Sequence, residues 1–350
     1  MTSSHPPTPP RSVLVWLTVM IAMIFIMVVI GGVTRLTQSG LSMVDWRPIM
    51  GIIPPLTEAQ WEQAFAAYKA FPEYQKLNYG MTLAEFQAIF LMEYAHRVWG
   101  RLIGLVFIVP YLWFLVSGAV RGRFALKLLG LLVLGAGQGV MGWVMVKSGL
   151  IDDPSVSPYR LAAHLVLALA LAAILLWMVL ARTTEPVPLT QGHRRRVVAP
   201  LHAALFLATL TVISGAFVAG LDAGQTFNTF PLMDGQWVPD GMLDLKPVWR
   251  NAFENLPMVQ FDHRLLGILT MLAALFLWAR GRGAVLRPEA RLALNLIGAM
   301  ALIQPGLGIA TLVLVVPVSL AAVHQAGAMI LLGLLIWFLH EVRRKPGRLD

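Results

Sequence analysis

Four of the eight histidines in this chain recur as two related pairs. Glu93-Tyr94-Ala95-His96-Arg97-Val98-Trp99-Gly100 aligns with Gln260-Phe261-Asp262-His263-Arg264-Leu265-Leu266-Gly267 on a shared His-Arg-x-x-Gly pattern. His164 follows Leu161-Ala162-Ala163, and His324 follows Leu320-Ala321-Ala322-Val323. Each of the four lies inside a long apolar run, about five to nine residues from its outer end. A lone histidine at such a place reads as a polar core residue bonded to a neighbouring helix. Four at one depth, in repeat-related pairs, read as ligands. Imidazole is the usual axial ligand of haem iron, and two facing helices can offer one each to a porphyrin between them. The pattern therefore predicts two bis-histidine haem sites. Zinc and copper fit less well, because there is no cysteine and few carboxylates share that depth. Of the other histidines, His5, His193 and His340 are expected to be solvated at ends or in loops, and His202 to sit among headgroups.

The two copies differ in one residue that could do chemistry. Three positions before its histidine the first carries Glu93 and the second Gln260. At a spacing of three, Glu93 shares a helix face with His96, and a carboxyl group in an apolar site can hold or release a proton near neutral pH. The first half is thus expected to perform chemistry and the second to carry a spectator or electron-transfer haem. A structural pairing of Glu93 with a nearby arginine is the other reading. Arg97, Arg101 and Arg264 either snorkel to the outer headgroups or clamp haem propionates bidentately; the second is preferred. Gly100, Gly104, Gly142, Gly267 and Gly308 would let helices or a flat macrocycle approach closely.

The elements that must position these residues are transmembrane helices. The chain of 350 residues is 57% hydrophobic and 13% charged, against about 25% charged in soluble domains. Spans are expected at 12–33, 87–117, 124–146, 159–181, 197–219, 258–280, 291–316 and 317–340. The last two meet at Val316-Pro317, and Gln304-Pro305-Gly306 reads as a break within the seventh. The fold class is all-α, integral to the membrane, with eight helices as two pseudo-symmetric four-helix bundles. The halves are residues 1–190 and 191–350. An even number of spans in each half gives the two copies the same orientation, a parallel repeat.

The net charge of +9 would suit nucleic acid if it formed a stripe, but it does not. Sixteen of the 27 basic residues fall at one membrane face, in the segments near Arg11, 118–127, 182–196, 280–291 and the tail. That distribution is a topology signal. It places both termini in the cytoplasm and the long segments 34–86 and 220–257 outside. A bacterial inner membrane is the expected location.

The chain also closely resembles the haem A synthase family over nearly its whole length. The resemblance rests on Gly31-Gly32-Val33-Thr34-Arg35-Leu36-Thr37-x-Ser39-Gly40-Leu41-Ser42, Glu93-Tyr94-x-His96-Arg97 with Gly100-Arg101, and Gln138-Gly139-x-x-Gly142-Trp143-x-Met145-Val146-x-Ser148-Gly149-Leu150. It continues in His164, His263-Arg264 and His324-Gln325. It implies oxidation of the C8 methyl group of haem O to a formyl group, giving haem A for terminal oxidases. It further implies substrate haem O between His96 and His164, a haem b cofactor between His263 and His324, and Glu93 as the essential acid. With no cysteine, the chain is similar to the proteobacterial and mitochondrial branch. Expected partners are haem O, an electron donor or acceptor, a haem O synthase and oxidase assembly factors, lipid, and further copies of the chain. Nucleic acid is not among them. Two other functions compete. A di-haem b-type cytochrome would explain the histidines but leave Glu93 without a role, and a proton-relaying transporter would not need matched histidine depth.

Overall fold

The structure is a computed structural model and describes residues 10–44, 52–150, 155–183 and 191–343. In chain order the helices are α1 (Arg11–Leu36), α2 (Glu58–Lys69), α3 (Pro72–Lys76), α4 (Leu83–Val116), α5 (Gly122–Gly149), α6 (Pro158–Thr183), α7 (Gln191–Gly220), α8 (Asn251–Glu254), α9 (Leu256–Arg282), α10 (Pro288–Val313) and α11 (Val318–Val342). Eight of them, α1, α4 to α7 and α9 to α11, are long and apolar enough to cross a bilayer. The chain is a multi-pass helical membrane protein. Only internally bonded segments of this kind can cross hydrocarbon.

The helix ends follow from local chemistry. The Thr82 hydroxyl accepts from the Glu85 N–H, and the Glu85 carboxylate accepts in return from the Thr82 N–H at 2.8 Å. This reciprocal cap starts α4 four residues before the apolar run expected from 87. Asn255 caps α9 by accepting from the Met258 N–H at 3.0 Å. Pro305 lies within α10, which continues through it, so Gln304-Pro305-Gly306 is not the break expected. The seventh span ends at Val313 rather than 316. Val315 and Val316 then adopt left-handed φ values of 60° and 56°, a strained conformation for β-branched residues. It is held by the Val316 N–H on the Thr311 carbonyl, 2.8 Å, and by Asn228 on the Leu312 carbonyl, 2.8 Å.

Two apolar clusters organise the helices. One gathers Val13, Leu17, Met20, Phe107, Leu128 and Leu175 from the first half. The other gathers Val197, Leu201, Leu277, Leu294, Ile297 and Phe338 from the second. Between the halves α1 packs on α11, and α6 on α7 and α11. Outside the spans, α2 and α3 lie over the outer end of α4, where Phe65 stacks on Phe86 at 5.0 Å and Tyr68 is fully buried. His340 corrects one expectation. It is fully buried at the end of α11 and meets Trp177 of α6 edge-on at 5.3 Å, because the last turn packs between helices instead of leaving the protein. His5, Arg344, Lys345 and Arg348 lie outside the described residues.

Candidate functional site

Glu93 sits on α4, 2% exposed. One carboxylate oxygen accepts from the Ser42 hydroxyl at 2.7 Å and the Met43 N–H at 2.8 Å; the other accepts from Arg97 at 2.5 Å. Arg97 also donates to the Met43 carbonyl at 3.0 Å. All of these partners of the carboxyl group donate, an arrangement suited to a carboxylate.

The second half builds the same clamp with reversed polarity. Gln260 is also 2% exposed, and its amide nitrogen donates to the carbonyls of Ala223, 2.7 Å, and Thr226, 2.5 Å. Its oxygen accepts from Arg264 at 2.9 Å. Arg264 donates further to the carbonyls of Phe227, Thr229 and Leu232. Both Arg97 and Arg264 therefore tie an outer segment to a helix, a use that sequence alone did not separate from propionate binding. Arg101 lies one turn further inward on α4.

Each of the four histidines rests against a glycine of the preceding span. A Cβ placed on Gly215 of α7 would come 3.0 Å from Cε1 of His263, and one on Gly308 of α10 would come 2.9 Å from Cε1 of His324. In the first half the distances are 3.3 Å from Gly31 to Nε2 of His96 and 3.5 Å from Gly142 to Cε1 of His164. Gly142 and Gly308 were legible from sequence, Gly31 and Gly215 as histidine neighbours were not. The counterpart of Gly215 is Gly31, and Gly32 faces the Gln325 side chain across the halves. The same register relates Gln38 and Asp222, left-handed at φ 50° and 53° where α1 and α7 end. Gly104 and Gly267 border open space, and Gly100 meets Met27.

The imidazoles of His263 and His324 stand perpendicular with ring centres 6.4 Å apart. Two imidazoles on opposite sides of one metal, at about 2 Å per bond, place their centres about 6 Å apart. The described residues contain no cluster of three or more His, Asp or Glu that could hold a metal ion. A two-imidazole site suits a metal that brings its remaining ligands with it, as haem iron does. His96 and His164 are near enough to interact electrostatically. Gln138 donates to the His164 carbonyl at 2.9 Å, and Gln304 to the His324 carbonyl at 2.7 Å. On the first half a cleft of about 220 Å³ lies between Met43, Val44, Trp143, Val146, Lys147 and Leu150.

Eight helices long and apolar enough to cross a membrane, with paired histidines among them, define a class, the multi-pass helical membrane proteins. Comparison with known proteins narrows this. Residues 14–336 match the COX15-CtaA family model, described as cytochrome oxidase assembly protein, and the chain belongs to that family. "Heme A synthase" of Nitrosospira multiformis is 48% identical over 337 residues, covering 96% of this chain and 94% of the relative. "Heme A synthase COX15" of Homo sapiens is 45% identical over 341 residues, covering 95% and 82%. The protein of the same name from Arabidopsis thaliana is 45% identical over 341 residues, covering 94% and 74%.

Proposed function

We propose that this protein is a haem A synthase, a membrane oxidoreductase that converts the C8 methyl group of substrate haem O to a formyl group. The observation that carries the reading is the unequal clamp. Two halves share one architecture, yet only the first holds a carboxylate, Glu93, amid three donors in a water-poor site one helical turn from a histidine. Residues 1–190 form the catalytic half, with haem O between His96 and His164. Residues 191–350 form the cofactor half, with haem b between His263 and His324. Haem b supplies one-electron transfer when bound. Ser42, Met43 and Arg97 fix the Glu93 carboxylate, which stabilises positive charge or takes up a proton as electrons leave the methyl group. Arg101, one turn from Arg97 on α4, is assigned to a propionate. The distribution of Lys and Arg supports both termini in the cytoplasm of a bacterial inner membrane, and an electron acceptor outside the chain completes the reaction.

Protein purified from cells that make haem O tests this by extraction and separation of its pigments. Haem b together with haem O, haem A or partly oxidised forms is expected. A single haem type would overturn the reading in favour of a b-type cytochrome, and colourless protein in favour of a transporter. His263→Ala and His324→Ala are each expected to deplete haem b selectively and to lower thermal stability.

A further inference from the structure

We propose that Ser214 is a positioning residue that makes His263 a permanent iron ligand, while Ile30 in its place leaves His96 able to let a haem exchange. The inference rests on the haem-ligand reading above and adds what decides which occupant stays.

Ser214 precedes Gly215 on α7, and its Oγ lies 2.9 Å from Nδ1 of His263. The same hydroxyl donates to the Thr211 carbonyl at 2.8 Å. A hydroxyl has one hydrogen, so towards the imidazole it accepts. Nδ1 therefore carries the ring proton, and the lone pair needed by a metal stands on Nε2. The ring is turned accordingly. Its Cε1, Nδ1 and Nε2 atoms lie 3.0, 3.5 and 3.8 Å from the place of a Gly215 Cβ. The His324 ring stands 6.4 Å off.

The register that equates Gly31 with Gly215 puts Ile30 where Ser214 stands. An isoleucine side chain offers no hydrogen bond, and His96 is turned the other way, with Nε2 as its nearest atom to Gly31, 3.3 Å from a Cβ there. The second ligands do not repeat the contrast, because an amide nitrogen only donates and would set the proton of His324 on Nε2. Nδ1 of His324 has the Gln304 amide at 3.2 Å, whereas Nδ1 of His164 is buried without a hydrogen-bond partner. Held imidazoles suit a resident cofactor. An imidazole without that hydroxyl beside it suits a haem that arrives as substrate and leaves as product.

The test compares wild type with Ser214→Ala, Ser214→Thr and Ile30→Ser, each as detergent-solubilised holoprotein. Transfer of haem b to excess apomyoglobin is followed by absorbance. Removal of such an outer partner typically costs 10- to 100-fold in affinity, so Ser214→Ala is expected to lose haem b about 10- to 100-fold faster. Its midpoint potential should rise, because a less basic imidazole favours the ferrous state. Threonine, which restores the hydroxyl, should return both values towards wild type. Ile30→Ser is expected to slow release of the first-half haem. Loss rate and potential unchanged in Ser214→Ala, with His263→Ala emptying the site, would overturn this inference alone. Full haem b in His263→Ala would overturn the ligand reading itself. Unchanged release from Ile30→Ser would remove the first-half part.

Discussion

Glutamine is a poor stand-in for Glu93, even though the second half carries one at the matching place. Gln260 directs its amide nitrogen at two carbonyls, while the same direction from position 93 meets the Ser42 hydroxyl and the Met43 N–H. An amide nitrogen facing an N–H leaves a buried donor unmatched, which costs about 1–3 kcal/mol. Glu93→Gln is therefore expected to lower thermal stability slightly, keep both haem sites filled, and reduce haem A formation by about 10²- to 10⁴-fold. Pigment analysis and a melting curve on one preparation check both parts. A wild-type rate would remove the case for the first half as catalytic. Gln260→Glu is expected to loosen the outer segment 220–257, by setting a carboxylate against carbonyls, and to leave haem A formation largely intact. The difference between Glu93 and Gln260 was legible because both lie in an aligned motif. Their partners were not, since Ser42 and Met43 are 51 and 50 residues away in a segment without periodicity. Arg264 illustrates the same limit. A charge in an apolar run points equally to headgroups, propionates or carbonyls, and only the folded loop decides.

The outer helices carry a titratable group that hydropathy cannot reveal. Glu73 of α3 is 4% exposed, and one of its oxygens is buried without a hydrogen-bond partner. Burial pushes its carboxyl up to about 7, with the Tyr68 hydroxyl offsetting part of the effect and the Glu93 charge adding to it. The folded protein then binds a proton that the unfolded chain has released between about pH 4.5 and 7. Stability contributed by the protonated acid is present below that window and falls as pH rises through it, by about 3 kcal/mol. Melting curves between pH 5 and 8 should show this decline in wild type and a flatter profile in Glu73→Gln. Equal slopes would show that Glu73 titrates normally. The spans themselves were legible from apolar length, but their outer limits were not. Thr82-x-x-Glu85 and Thr57-x-x-Gln60 are sequence signatures of helix starts, and both form. Tracking apolarity alone passes over them, because the first turns of α2 and α4 carry polar residues.

Topology belongs to the whole molecule. Reporter fusions after Lys127, Arg196 and Arg291 are expected to report the cytoplasm, and fusions within 225–250 the outside. A fusion at Arg195 that reported the outside would invert the orientation. The repeated motifs were legible in the sequence, but which helices touch was not, since residues facing another apolar helix and residues facing lipid look alike.

Matching the halves in order pairs α1 with α7 and α6 with α11. The contact of α1 on α11 then becomes the counterpart of α7 on α6, and both are present. An interface in which each surface meets the mate of its own partner is that of a two-fold dimer. Here both surfaces belong to one chain, and that has a consequence. In a dimer of identical chains every substitution appears twice, so a carboxylate at position 93 and a serine at 214 could not be confined to one side each. One chain that carries both copies has no such restriction. A single gene can then hold one copy still while the other learns a reaction.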